Sequence, residues 1–269
     1  MIPAPQSRER GFATSVDGTR IAWRRYGEAG RSIVFVPTWN LVDARVVGYQ
    51  VAALEPLATV VTYDPRGSGE SDRPASGYDF PLHAADALAV IGATGVEDAA
   101  VVNASRGLNA AVLLAAEHPQ RVTRLAAVAP YMRLEPDPEP PDPARLERWR
   151  DDWPGFIVPF MHAVFTEPNS AQLIEEMVDI GLDASPEVVA AQELELDWVT
   201  PARLLGHIEC PTLIVHGEDD VPVPLETARA VAGELPNTRL VLIPGGGHRP
   251  DIRSPELVNP ILLEFLLEK

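Results

Sequence analysis

Short runs dominated by Val, Ile, Leu and Ala recur at residues 32–37, 58–63, 99–103, 125–129, 212–216 and 239–243. Most are apolar throughout rather than alternating, the pattern expected of strands covered on both faces in a parallel sheet. Ala- and Leu-rich stretches between and after them, at 81–91, 106–117, 225–233 and 255–267, read as helices. Alternation of this kind predicts right-handed crossovers around an open, mostly parallel sheet. Ahead of it, residues 11–16 and 19–26 flank Asp17-Gly18, a hairpin signal that predicts an antiparallel edge.

The rhythm breaks between Pro130 and Pro211, where no convincing strand is found. This interval opens with an acidic stretch, 135–143, in which repeated Pro excludes a helix. Helical patterns follow at about 144–152, 155–165, 170–182 and 186–194. The division expected is an α/β core of residues 1–132 and 206–269, with an inserted helical cap at 133–205 after the sixth strand.

With Lys plus Arg at 22 and Asp plus Glu at 39, the formal charge is −17. Such a surface repels nucleic acid and anionic membranes, so neither is expected as a partner. A small-molecule substrate is expected, and association into a homo-oligomer is left open. Cys210 is the sole cysteine, which excludes an intrachain disulfide. No stretch approaches about 18 uninterrupted apolar residues, and no secretory signal opens the chain, so a cytoplasmic location is expected.

Three loops carry the chemistry. The run at 99–103 leads through Ala104 to Ser105, Arg106 and Gly107 and directly into a helix. A serine on so sharp a turn presents its Oγ at the C-terminal rim of the sheet, and the N–H of Arg106 is placed to serve an oxyanion hole. Gly217-Glu218-Asp219-Asp220 follows the run at 212–216, and Gly245-Gly246-Gly247-His248 follows the run at 239–243. Parallel strands share a direction, so all three loops should meet at one rim, with the histidine on a flexible loop. Between the two aspartates, the register favours Asp220. His216 is expected to support its loop, and His83, His118, His162 and His207 lie in no motif.

The chain resembles the α/β-hydrolase fold family over nearly its whole length. The G-x-S-x-G elbow corresponds to Asn103-Ala104-Ser105-Arg106-Gly107, the acid loop to 216–220, and the G-G-H loop to Gly246-Gly247-His248. Residues 63–71 look like the D-x-R-G-x-G-x-S stretch after the fourth strand. Two departures stand out. Asn103 replaces a glycine and would have to tolerate a strained turn, and Pro37-Thr38-Trp39 replaces a His-Gly-x loop. The resemblance implies a carboxylic ester hydrolase or lactonase with Ser105 as nucleophile, His248 as base and Asp220 as its orienting acid. It implies oxyanion donors at the backbone of Trp39 and Arg106, and no metal or organic cofactor. Trp39, Trp153, Phe156, Phe160 and Phe165 are candidates to line the substrate pocket, and Arg106 and Arg45 to meet a substrate carboxylate. C–C bond hydrolysis and cofactor-free perhydrolysis would use the same triad; a non-catalytic small-molecule receptor is the alternative of a different class. Epoxide hydrolase and haloalkane dehalogenase chemistry are disfavoured, because those relatives carry an aspartate where Ser105 stands.

Overall fold

The computed structural model describes residues 1–28, 30–135 and 141–268. Eight strands form one sheet: β1 (Glu9–Thr14), β2 (Arg20–Tyr26), β3 (Ser32–Val36), β4 (Thr59–Tyr63), β5 (Ala99–Ala104), β6 (Val122–Val128), β7 (Thr212–Gly217) and β8 (Thr238–Ile243). Their order is β1-β2-β4-β3-β5-β6-β7-β8. The hairpin β1–β2 is antiparallel, as is its junction with β4, and every other pairing is parallel. Strands β4, β5 and β7 are buried at every position, which explains why their sequences do not alternate. The order reverses between β3 and β5, so a crevice opens beyond their C-terminal ends.

Helices α1 (Gly48–Leu54), α2 (Phe80–Ala93) and α3 (Gly107–Glu117) fill the first half of the chain. The first of these was not expected from the sequence. It is seven residues long, opens on Gly48 after two valines, and has no capping side chain at its start. Its stability comes from burying Val51 and Leu54 against the sheet rather than from local propensity.

Between β6 and β7 the described residues are helical: α4 (Pro143–Asp151), α5 (Trp153–Val164), α6 (Ala171–Leu182), α7 (Pro186–Glu195) and a short α8 (Val199–Arg203). Of the acidic Pro-rich stretch, residues 136–140 lie outside the described residues. Helix α5 starts where the Asp152 side chain accepts the Gly155 N–H at 2.9 Å. It then buries Trp153, Ile157, Met161 and Val164, a stripe at helical spacing. These side chains form one cluster with Trp39, Leu41 and Val42 from the loop after β3, so the inserted helices sit over the crevice. The chain ends with α9 (Leu225–Glu234), α10 (Pro250–Arg253) and α11 (Pro255–Leu267). Among the described residues no helix is long and apolar enough to cross a membrane.

The turn after β4 holds the crevice loop in place. The Arg66 side chain is wholly buried, with its Nε and Nη2 donating to both Asp86 oxygens at 2.7 and 2.6 Å and its Nη1 to Asp17 at 2.8 Å. Its carbonyl accepts from the Asn40 side chain, and the Ser68 hydroxyl donates to the Asn40 carbonyl at 3.0 Å. Asn40, next to Trp39, is thereby gripped from both sides.

His83 on α2 faces Gln192 on α7, with ring Nε2 and amide nitrogen 3.3 Å apart. The amide donates, so the imidazole accepts and is neutral. Burial lowers its pKa to about 4. A histidine depressed in the folded state stabilises fully above its unfolded pKa of about 6.5, and that contribution drains away as pH falls toward 4. Wild-type protein should therefore lose about 3 kcal/mol more than His83→Gln between pH 6.5 and 4. Urea-unfolding curves for the two proteins across that window measure this, and an equal loss of stability in both would reject the assignment.

Candidate active site

Ser105 follows β5 directly and takes a left-handed backbone conformation, φ 49°. For a residue with a Cβ this costs on the order of 1–3 kcal/mol, so surrounding contacts must hold it. Its N–H donates to Val128 O at 2.9 Å, and its carbonyl accepts from Tyr131 N at 3.1 Å. Strain falls on Ser105 and not on Asn103, contrary to expectation. Asn103 continues β5 in pair with Ala127, and its Nδ2 donates to Ala126 O at 3.1 Å. The glycine two positions after the serine answers to packing. A Cβ on Gly107 would lie 2.6 Å from Pro37 O, so only glycine lets α3 start against the loop after β3.

Asp220 and His248 arrive at the same rim. The loops after β7 and β8 interlock, since Glu218 N donates to Ile243 O at 3.1 Å and Asp219 N to Gly246 O at 2.9 Å. A Cβ on Gly217 would sit 2.2 Å from the carbonyl oxygens of Gly246 and Gly247, so this contact too requires glycine. His248 Nδ1 lies 2.8 Å from Asp220 Oδ2, and His248 Nε2 lies 3.1 Å from Ser105 Oγ. A carboxylate only accepts, so Nδ1 carries the proton and Nε2 is free to accept from the serine hydroxyl. The second Asp220 oxygen accepts from Val223 N at 2.8 Å. Asp219 is exposed and takes no part.

The histidine loop is pinned rather than flexible. His248 N donates to Val164 O at 3.1 Å, and Gly247 N to Glu167 Oε1 at 2.7 Å. Both acceptors belong to the inserted segment, a tie no local pattern could announce. His216 is buried, with its Nε2–H donating to Val223 O at 3.1 Å, and burial lowers its pKa so that it stays neutral. Burial raises the Cys210 thiol to about 11, leaving little thiolate at neutral pH.

Two cavities open at Ser105 and His248. The narrow one, about 40 Å³, is apolar and bounded by Trp39, Leu41, Phe160, Met161 and Met177. The wide one, about 210 Å³, is bounded by Trp39, Arg106, Tyr131, Arg145, Trp149 and Phe156, with Glu193 and Arg133 on the same wall. Trp39, Phe156 and Phe160 thus line the space, with the Trp39 ring edge-on to both phenylalanines at centroid distances of 6.0 and 5.5 Å.

Trp153 and Phe165 line neither cavity. Trp153 stands on the buried stripe of α5, with its indole N–H donating to Gly181 O at 3.1 Å on α6, and Phe165 is enclosed just past the helix end. Helical spacing alone cannot tell which face of an inserted helix meets the cavity. Arg45 is likewise remote, paired with Asp43 and Asp183. The Arg106 guanidinium lies 3.7 Å over the Trp39 ring and is paired with Glu193 of α7. Glu193, Arg145, Tyr131 and Trp149 were not anticipated. The only sequence signal was the four-residue spacing of Arg145 and Trp149, which puts both on one face of α4.

The sequence matches the alpha/beta hydrolase family over residues 33–261. It is 33% identical over 227 residues to a Caulobacter protein provisionally named carbamate hydrolase RutD, covering 81% of this chain and 84% of that protein. It is 32% identical over 255 residues to a Synechocystis protein provisionally named non-heme chloroperoxidase, covering 88% and 92%. Among solved structures, a thermophilic esterase from Thermogutta terrifontis is similar at TM-score 0.84 and 28% identity, covering 96% of this chain and 98% of that one. An esterase from Exiguobacterium antarcticum has the same fold at TM-score 0.87 and 24% identity, covering 96% and 99%. With a family match spanning most of the sequence and esterases among its neighbours, the chain belongs to the alpha/beta hydrolase family as an esterase-like hydrolase.

Proposed function

We propose that the protein cleaves small to medium carboxylic esters or lactones through an acyl-enzyme on Ser105. The observation that carries this reading is the unbroken relay from Ser105 Oγ to His248 at 3.1 Å and on to Asp220 at 2.8 Å, opening on a cavity. As Oγ attacks the substrate carbonyl, His248 takes its proton, and Asp220 keeps the imidazole in the useful tautomer. The carbonyl oxygen becomes an oxyanion that the backbone N–H groups of Arg106 and Trp39 would hold. Among the described residues neither group donates elsewhere. The imidazolium then protonates the departing alkoxide. Water, deprotonated by His248, attacks the acyl-enzyme and releases the acid with Ser105 restored.

In this reading the helices from α4 to α8 form a cap that walls off the cleft, and the narrow apolar cavity takes a short hydrocarbon part of the substrate. Incubation with a fluorophosphonate should place a single adduct on Ser105, identified by peptide mass spectrometry. Folded protein that stays unlabelled would overturn the proposal. The similarity to a protein provisionally named chloroperoxidase supports perhydrolysis as a second reading, in which peroxide replaces water in the last step. Peracid formed from acetate and hydrogen peroxide is its diagnostic.

A further inference from the structure

The wide cavity carries a charge imbalance that acyl transfer itself does not use. Glu193 is nearly buried, its side chain 5% exposed, and its Oε1 is tied to the Arg106 guanidinium, which is 12% exposed. This close pair consumes the carboxylate. A second guanidinium, Arg145, approaches the other oxygen, Oε2, only to 3.8 Å, beyond hydrogen-bond reach. Arg145 Nε is shut off from solvent and has no hydrogen-bond partner among the described residues. Its guanidinium lies 5.3 Å from the centre of the Trp149 ring, four residues on along α4. Arg133, engaged with the Tyr131 hydroxyl at 3.3 Å and with the Trp198 ring, adds a third guanidinium to the lining. Glu193 is the sole carboxylate among the described residues lining this cavity.

Resting on the hydrolase reading above, we propose that the wide cavity is an anion subsite, in which Arg145 beside the Arg106–Glu193 pair selects esters that also carry a carboxylate. A planar carboxylate matches the donor fork of a guanidinium, and would satisfy donors that Glu193 leaves over. The rings of Trp39, Trp149 and Phe156 line the same cavity as Ser105 and Arg145 and suit the hydrocarbon that would join the two groups. A local cationic site is also what an acidic substrate needs here, because the chain's charge of −17 repels anions at long range. The Arg145 side chain is 43% exposed, so salt should weaken this attraction.

The test compares carboxylate-bearing esters with counterparts in which the acid is a carboxamide. One series carries the acid on the acyl side (monomethyl succinate, glutarate and adipate), and the other on the alcohol side (acetoxy-acetate, -propionate and -butyrate). At low salt, kcat/KM for at least one acid should exceed that of its carboxamide tenfold or more. Arg145→Gln should cut that ratio about tenfold, chiefly through KM, and Arg145→Lys should restore part of it. Thermal unfolding and Ser105 labelling of both variants report that they are folded. Ratios at or below one at every chain length, or a preference that Arg145→Gln leaves intact, would overturn the subsite while labelled Ser105 leaves the hydrolase reading standing. No turnover of any ester by protein whose Ser105 is also unlabelled would sink both.

Discussion

Replacing Ser105 with alanine should lower kcat on p-nitrophenyl acetate by roughly 10⁴- to 10⁶-fold and abolish fluorophosphonate labelling. The size follows from the geometry. With Oγ gone, His248 Nε2 loses the hydroxyl it meets at 3.1 Å, and among the described residues no other hydroxyl is hydrogen-bonded to it. What remains is attack by water, helped only by binding and by the oxyanion donors proposed at the N–H groups of Arg106 and Trp39. Alanine retains the Cβ that makes φ 49° costly, so the backbone strain at this position is the same in both proteins. Melting temperature should therefore shift by no more than a few degrees. Retention of more than a few per cent of activity, with the variant folded, would show that another group attacks.

Asp220→Asn should cost about 10⁴-fold in kcat while leaving KM within a few-fold. Asp220 Oδ2 accepts the His248 Nδ1 proton at 2.8 Å, and its Oδ1 accepts from Val223 N at 2.8 Å. An amide can keep the Val223 contact through its oxygen, which turns its NH₂ toward His248. The imidazole must then accept at Nδ1 and carry its proton on Nε2, where it can no longer take one from Ser105. His216 offers no substitute. Its Nε2 is 3.6 Å from Asp220 Oδ2 but its proton is committed to the Val223 carbonyl. A loss below about tenfold, measured by single-turnover release of p-nitrophenol, would mean that Asp220 is structural rather than part of the relay.

The strands and the three loops could be read from sequence because each rests on a local rule. Strands β4, β5 and β7 do not alternate between apolar and polar because both faces are covered, and the shared direction of the parallel strands sends residues 105, 220 and 248 to one rim. Gly107 and Gly217 are likewise local signals, although their reasons are contacts with Pro37 and with Gly246 and Gly247. Helix α1 escaped notice, since a Gly start and two preceding valines argue against a helix until the sheet is there to bury Val51 and Leu54.

The cavity was a matter for tertiary structure alone. Trp153 and Phe156 lie three residues apart on α5, yet one seals the helix against α6 and the other faces Trp39. Both are aromatic at helical spacing, so the pattern that marks a buried face does not say which neighbour covers it. The pinning of His248 by Val164 and Glu167, and the pairing of Glu193 with Arg106, each join residues far apart in the chain. Periodicity and turn chemistry, which act over a few residues, determined the elements and the convergence of the triad. The walls and charge of the pocket depend on how the inserted helices rotate and dock, which long-range packing decides.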